Sequence, residues 1–220
     1  MCGRFHNHVE AMHQGVDVLN KWPEGHAVGF NISPTQSVPI VLESATVSAR
    51  WGLVPKWEKS FSTKYPTHNA RLETVGDKPS FRSAWKHART CLIPAAGFYE
   101  WKKEGSIKQP YYIHNPNGLL VFAGLWESWN HQISFTILTT DSRGAVANLH
   151  HRMPVMLDTA DATEWLSVGL ASHELLEKSE VVEALEYYPV STQVNNSRSV
   201  GLMCSQRLTG SAGPNQTLDF

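Results

Sequence analysis

The second residue of the chain, Cys2, combines two nucleophiles once the initiator Met1 is removed, as is usual before a small second residue. An α-amine has a reference pKa of ~7.7–8.0 against ~10.4 for lysine, so roughly a fifth of such amines are unprotonated near neutral pH. An amine beside a thiol can form an imine with an aldehyde and then close a five-membered thiazolidine by addition of the thiol. Alternatively, Cys2 merely follows Met1 in a frayed terminus. Cys2 is therefore the first candidate for covalent chemistry.

Three further segments carry side chains that could assist such a reaction. Asn69 offers an amide that can orient an amine, and Arg71 offers a guanidinium fork suited to phosphate. Glu100 is a lone carboxylate in the apolar stretch 94–101, where burial would raise its pKa toward neutrality. His150 titrates near neutrality and suits proton delivery to a leaving oxygen. Each segment alone is also compatible with an ordinary polar loop or a solvent-facing side chain.

The adjacent His150 and His151, together with eleven histidines in all, raise the question of a metal site. Adjacent side chains on an extended strand point to opposite faces, which disfavours a shared metal. The chain also has no Cys-x-x-Cys or His-Glu-x-x-His spacing. We therefore expect no metal and no cofactor. His68 and His151 stay open as alternative proton carriers.

The charges are unevenly distributed although the net charge is only −1. Residues 50–108 hold twelve basic and five acidic side chains, a net of +7, so the rest of the chain carries −8. A basic middle favours a face that binds a polyanion, unless these charges point in different directions. No apolar run is long enough to span a membrane, and no secretory signal follows Met1. Three cysteines cannot pair completely, which favours the reducing cytoplasm.

Hydrophobic patterning predicts strands in the middle of the chain and helices on either side. Strands are expected at 37–43, 46–52, 91–101, 110–114, 119–125, 133–139 and 153–157, and helices at 9–20, 81–88, 159–168 and 172–186. Residues 115–118 predict a hairpin turn between their flanking strands, and residues 54–80 a functional loop. We therefore expect a single α+β domain with strongly bent, barrel-like antiparallel β-sheets flanked by helices.

Taken together, the motifs resemble one known family. They are Met-Cys-Gly-Arg-Phe at 1–5, Asn-Ala-Arg-Leu-Glu-Thr at 69–74, Gly-Phe-Tyr-Glu-Trp at 97–101 and His-His-Arg-Met-Pro at 150–154, with further matches at 30–34, 50–55, 81–82, 89–94, 189–191 and 194–195. Each motif is weak alone, but their shared order is specific. The chain resembles the SOS-response-associated peptidase (SRAP) family, which implies a SRAP-like domain at 1–204 and a flexible tail at 205–220.

The resemblance implies a protein that senses abasic sites in single-stranded DNA and cross-links itself to them. Cys2 would form a thiazolidine with the C1′ aldehyde of the opened sugar, while Asn69 would hold both partners. Glu100 would relay protons, and His150 would act as the general acid for sugar ring opening. The residues that match DNA contacts, as phosphate ligands or base-stacking groups, are Arg4, Asn31, Pro34, Trp51, Arg71, Arg82 and Trp101. The adduct would shield the lesion from cleavage.

Two other function classes stay open at this point. N-terminal-nucleophile amidohydrolases also begin with Cys after Met, and the family's peptidase name echoes self-cleavage after Met1. A non-catalytic module would instead hold single-stranded DNA through the basic segment, with Cys2 irrelevant. Residues 216–220, Gln-Thr-Leu-Asp-Phe, resemble peptides that dock on sliding clamps, with a solvated tail as the alternative.

Overall fold

The structure is a computed structural model that describes residues 2–7, 29–169 and 179–208. Within these ranges the chain forms twelve strands and two α-helices. The strands are β1 (Phe5–His6), β2 (Ser37–Val41), β3 (Thr46–Trp51), β4 (Asn69–Arg71), β5 (Thr90–Ala95), β6 (Gly97–Glu104), β7 (Ile107–His114), β8 (Leu120–Trp129), β9 (Gln132–Asp141), β10 (Arg152–Pro154), β11 (Met156–Leu157) and β12 (Glu186–Pro189). The helices are α1 (Pro79–Lys86) and α2 (Thr159–Ser167). The predicted α+β class is confirmed.

The larger sheet closes on itself as a barrel. Around the ring β9 pairs with β3, β3 with β2, β2 with β5, β5 with β8, and β8 again with β9. The β3–β9 pair is parallel, with Trp51 opposite Phe135, and the other pairs of the ring are antiparallel. The short strands β4 and β10 add to β9, and β11 adds to β8. The expected strongly bent, barrel-like sheet is therefore confirmed.

Strand β5 and the first part of β8 are buried on both faces, so these stretches are nearly continuously apolar instead of alternating, whereas β3 keeps exposed and polar positions. Along β5, Cys91 and Ile93 pack in the cluster that fills the barrel, whereas Leu92 packs in a second cluster outside it. Helices α1 and α2 cover this outer face, with Phe81 and Trp165 as their largest buried contributions. Burial of such side chains stabilises the fold by about 1.5–3 kcal/mol each.

The second sheet runs in the order β1-β6-β7-β12 and holds the N-terminal strand. Because β7 uses one edge for β6 and the other for β12, it has no edge left for β8. The predicted hairpin between 110–114 and 119–125 is therefore wrong. Residues 115–118 do turn, with Asn117 N donating to Asn115 Oδ1 over 3.0 Å, but the turn carries the chain from one sheet to the other.

Two further element predictions need correction. The predicted strand 91–101 is two strands in different sheets, because at Ala96 the backbone N–H leaves β5 and donates to His6 O over 2.7 Å. Helix α2 is capped by Asp158, whose side chain accepts from Asp161 N. The predicted helix 172–186 is wrong from residue 180, where a 3-10 turn leads into β12.

Several predicted segments lie outside the described residues. These are helix 9–20, the first part of helix 172–186, and the tail beyond residue 208. Before that point, Arg207 bridges to Val190 and Leu208 N donates to Pro189 O over 3.1 Å. Among the described residues no helix is long and apolar enough to cross a membrane.

Candidate active site

The N-terminal segment is bound into the fold at Cys2, which is 0% exposed. Phe5 pairs with Phe98 of β6 and also exchanges backbone hydrogen bonds with Ile32, at 3.2 and 2.8 Å. Its ring packs edge-to-face on Trp51 with the centroids 5.0 Å apart. These contacts order the segment from Cys2 onward, so the frayed terminus that the sequence left open is not what forms.

Asn69 is the residue that holds the backbone of Cys2. Its Nδ2 donates to Cys2 O over 2.7 Å. Asn69 begins β4, which pairs in parallel with β9 and is therefore fixed by the barrel wall. Its Oδ1 is buried and has no hydrogen-bond partner among the described residues. An amide with one end on Cys2 and a free acceptor at the other is able to orient a second polar group beside Cys2.

Glu100 brings a carboxyl group to the same region. Side chains two apart on a strand share a face, so Glu100 lies on the side of Phe98, which packs in the same cluster as Cys2. Burial raises the pKa of Glu100 to about 7, against the opposing effect of the N-terminal ammonium group. Burial also raises the pKa of the Cys2 thiol far above its usual range, and the charge of Glu100 adds to the rise. The thiol is therefore neutral, beside a carboxyl group that exchanges protons near neutral pH.

His150 lies just before β10, and its ring is hydrogen-bonded to the backbone of Arg152. Its Nδ1 is 3.0 Å from Arg152 N and 3.1 Å from Arg152 O. The neutral ring can thus accept a hydrogen bond and the protonated ring can donate one, which suits a group that gains and loses a proton. Burial lowers the pKa of His150, helped by the N-terminal ammonium group and by His151, whose ring is stacked 4.3 Å away.

The ammonium group of Met1, which the chain carries before any processing, is a shared cause of several pKa shifts. It shifts the pKa of Cys2, of Glu100 and of His150, and it lowers the pKa of His68, in which burial is the larger cause. The predicted catalytic set of Cys2, Asn69, Glu100 and His150 comes from four separate segments that the barrel brings together.

Arg152 ties two parts of this site to each other. Its guanidinium donates to both carboxylate oxygens of Glu73, at 2.7 and 2.9 Å, and to Asp141 Oδ1 at 2.6 Å. A fourth bond runs to Thr139 O over 2.7 Å. Hydrogen bonding from Arg152 holds the pKa of Glu73 below its usual value. Because Glu73 follows β4 and Arg152 begins β10, this bidentate pair fixes the Asn69 segment relative to His150.

A groove of positive charge leads away from Asn69. The cavity there is about 450 Å³ and is lined by Arg71 and Lys78, with Trp57 and Tyr65 on its rim. The two aromatic side chains are 54% and 46% exposed, and their rings meet edge-to-face at 6.1 Å. Within the described ranges neither Arg71 nor Lys78 forms an ion pair. Unpaired cations beside exposed aromatic rings form the kind of surface that binds a single nucleic-acid strand.

The predicted DNA contacts fall in different places. Arg71 and Arg82 line the groove and its extension along α1. Arg4 is half-buried and donates to Asn31 Oδ1 over 2.9 Å and to Val194 O over 2.8 Å. Asn31 is buried and donates to three backbone carbonyls between residues 194 and 199, so both side chains tie β1 to that segment.

The two predicted stacking tryptophans differ from each other. Trp51 is 0% exposed inside the barrel and donates from Nε1 to His68 O over 2.8 Å. Its predicted role as a base-stacking platform is wrong in this conformation, because no face of the ring is accessible. Trp101 is partly exposed, with Nε1 donating to Asn195 Oδ1 over 2.6 Å. Pro34 is half-buried in the turn before β2, beside Thr35, which has a positive φ of 78°.

The sequence marked Trp57 and Lys78 only as members of the basic, aromatic-containing stretch, and gave no role to Tyr65 or to the Arg152–Glu73 pair. Trp57 and Lys78 belong to the basic stretch, but composition does not reveal which side chains share a wall. Trp51 and Trp57 look equivalent along the chain, yet one is enclosed and the other exposed. The available signal is that Trp57 lies outside every predicted strand, in the loop 54–80 that the sequence marks as functional.

Comparison with known proteins decides the family. A sequence model described as "SOS response associated peptidase (SRAP)" matches residues 1–197. The chain belongs to the SRAP family. One similar relative is "Abasic site processing protein HMCES" of Xenopus tropicalis, 31% identical over 244 residues, which cover 88% of this chain and 73% of the relative. Another is "Abasic site processing protein YoaM" of Bacillus subtilis, 33% identical over 216 residues, which cover 90% of this chain and 95% of the relative.

Solved structures support the same fold. A crystal structure of a protein from Bacteroides thetaiotaomicron is similar with a TM-score of 0.76 and 25% identity, covering 94% of this chain and all of that chain. A phage-related protein from Bordetella bronchiseptica has a TM-score of 0.63 and 30% identity, over 87% of this chain and 95% of that chain. The fold of this chain is therefore shared with these two solved proteins.

Proposed function

We propose that this protein senses abasic sites in single-stranded DNA and captures them covalently through Cys2, after removal of Met1. The SRAP relatives above are named as abasic site processing proteins. The observation that carries the proposal is the burial of Cys2 with Asn69 Nδ2 on its carbonyl and with Glu100, whose pKa is about 7, on the same side. A Cys2 without a chemical role, in a frayed terminus, would not be enclosed by such groups.

The first step opens the sugar of the lesion. An abasic deoxyribose is mostly a closed ring, and its C1′ becomes an aldehyde when the bond to the ring oxygen breaks. In the proposed mechanism His150 supplies a proton to that oxygen, while the C1′ hydroxyl releases its proton to water as the carbonyl forms. Its ring can pass between its two protonation states without losing the hydrogen bond at Nδ1, because Arg152 offers both a donor and an acceptor.

The second step joins Cys2 to C1′. The α-amine attacks the aldehyde carbon, a carbinolamine forms, and loss of one water molecule leaves an imine. The thiol sulfur then adds to the same carbon while its proton passes to the imine nitrogen, and the thiazolidine closes. Glu100 relays these protons, since its pKa of about 7 allows it to accept and return one at neutral pH. The high pKa of the thiol explains why the amine reacts first.

The groove binds the strand on either side of the lesion. Arg71 and Lys78 carry charges that no carboxylate neutralises among the described residues, and Trp57 and Tyr65 offer ring faces to unpaired bases. A partly exposed Trp101 gives a further ring on the β6 side. Initial binding should therefore weaken as salt rises, by a log–log slope of about 0.7 for each phosphate contact.

The test separates the amine from the thiol of Cys2. Intact mass should show that Met1 is absent, and an abasic oligonucleotide should give a conjugate that survives denaturation. Cys2→Ser keeps an α-amine, so it should yield a conjugate only when borohydride traps the imine. Cys2→Ala should behave in the same way as Cys2→Ser. Full wild-type yield of the stable conjugate from Cys2→Ala would falsify the mechanism, as would capture by a protein that retains Met1 completely.

A further inference from the structure

A second cavity continues the groove beyond the site at Asn69. It measures about 790 Å³ and lies between α1 and the segment that follows β3. Trp57, Pro79 and Ser80 line both cavities, so the two are adjacent compartments of one channel. Trp57 forms the boundary between them and is 54% exposed. A strand that enters at Asn69 would therefore pass Trp57 into the second cavity.

The wall formed by α1 is positively charged. Arg82 and Lys86 are four residues apart and hence lie on one face of the helix, and both line the cavity. Like charges at this spacing repel each other. Neither side chain forms an ion pair within the part of the chain that the structure describes. An uncompensated pair of this kind is stabilised when a polyanion lies against it.

Among the described residues the lining has one carboxylate, that of Glu127, and it does not cancel this charge. Glu127 is buried, and Arg89 Nη1 lies 2.5 Å from its Oε2. Lys56 Nζ lies 3.6 Å from its other oxygen and is half-exposed toward the cavity. Two cations therefore share one carboxylate, and the hydroxyls of Ser80 and Ser83 add neutral donors to the same wall. The charges that line the cavity are therefore predominantly positive.

We propose that this cavity is a second strand-binding subsite, which takes the phosphodiester backbone of unpaired nucleotides on one side of the lesion. The inference rests on the proposed function, because it places the lesion at Asn69 and the flanking strand beyond Trp57. It names a substrate class: abasic sites inside a strand that continues past Trp57, in preference to abasic sites near the strand end on that side.

The test measures non-covalent binding to oligonucleotides that carry a tetrahydrofuran analogue of the abasic site, which has no aldehyde. Shortening one flank from about ten nucleotides to about two should weaken wild-type binding by about tenfold, and shortening the other flank should matter less. In the double variant Arg82→Ala, Lys86→Ala this flank dependence should disappear. The log–log salt slope for the long oligonucleotide should fall by about 1.4, since each lost phosphate contact removes about 0.7.

The matched control removes two lysines elsewhere. Lys103 and Lys108 are exposed and paired across β6 and β7, so Lys103→Ala, Lys108→Ala changes net charge equally. This control should keep the flank dependence and the salt slope. Equal effects of both flanks on the wild type, or equal behaviour of the two double variants, would overturn the subsite. Covalent capture of a natural abasic oligonucleotide by Cys2 is measured separately. Loss of capture with the flank dependence intact would count against the proposed function and not against the subsite.

Discussion

The enclosed end of the site and the groove outside it are built in opposite ways. Around Cys2 the side chains of Asn69 and Glu100 are buried and that of His150 is half-buried, and burial displaces the pKa values of Cys2, Glu100 and His150. Along the groove the cations are exposed and without ion pairs in the described ranges, and they follow one another over two cavities. Buried groups act through their individual protonation states, so each is individually essential. Exposed cations act by their summed charge, so each contributes only part of the affinity for the strand.

Glu100→Gln should give the largest effect, because it removes the group that exchanges protons in the enclosed end. The expected loss in the rate of covalent capture is about 10²–10⁴-fold, the usual contribution of a general acid or base. Non-covalent affinity for the tetrahydrofuran oligonucleotide should change little by comparison. Glu43→Gln, at an exposed turn, is the control. Capture by Glu100→Gln at the rate of that control would contradict a proton-exchanging role for Glu100.

Glu100→Gln should also change how the free energy of unfolding depends on pH. The pKa of Glu100 is raised from 4.5 to about 7 in the folded protein, so the folded state binds this proton more tightly than the unfolded state. Its contribution to stability is present below about pH 4.5 and is lost as pH rises through about 7, by up to about 3 kcal/mol. Urea unfolding at several pH values should show this loss in the wild type and in Glu43→Gln. Glu100→Gln should lack it.

Arg152→Ala should give an intermediate effect, since Arg152 joins the Asn69 segment to the His150 segment. Loss of its four short hydrogen bonds should lower the free energy of unfolding by about 2 kcal/mol. The cost stays moderate because Glu73 and Asp141 are exposed enough to regain water. Arg152→Lys should restore little, since an ammonium cannot reproduce the bidentate fork. Arg198→Ala, at an exposed position, is the control in urea unfolding, and equal midpoints would disprove the link.

Arg71→Gln should give the smallest effect, since it removes one of several exposed charges. Affinity for the tetrahydrofuran oligonucleotide should fall several-fold, and the log–log salt slope should fall by about 0.7. Lys103→Gln removes an exposed charge outside the groove and should change neither quantity. A loss in Arg71→Gln as large as that expected for Glu100→Gln would erase the contrast between the two regions.

The class of the fold could be predicted from local sequence, which also singled out side chains that the structure places near Cys2, such as Asn69. Strands such as Ser37–Val41 and Thr46–Trp51 follow the predicted ranges closely, because β-branched and apolar residues mark them. The set around Cys2 followed from residue chemistry together with the family motifs. These features depend on what each residue is, which a sequence states directly.

Topology and exposure could not be predicted in this way. The turn at 115–118 has hairpin chemistry, yet its flanking strands find partners in different sheets, because pairing is decided by which edges are free. The short strand Asn69–Arg71 lies in a loop without periodicity and exists because β9 offers it an edge. Trp51 and Trp57 have the same side chain, and the barrel alone decides that one is enclosed.

The enclosure of Cys2 has a practical consequence for handling the protein. An affinity tag or fusion partner attached ahead of Cys2 would occupy the space that an incoming aldehyde needs and would convert the free amine into an amide. Under the proposed mechanism, such preparations would bind DNA through the groove without forming the covalent adduct, and the protein would be mistaken for a simple DNA binder. Recombinant material should therefore carry its tag at the carboxyl end.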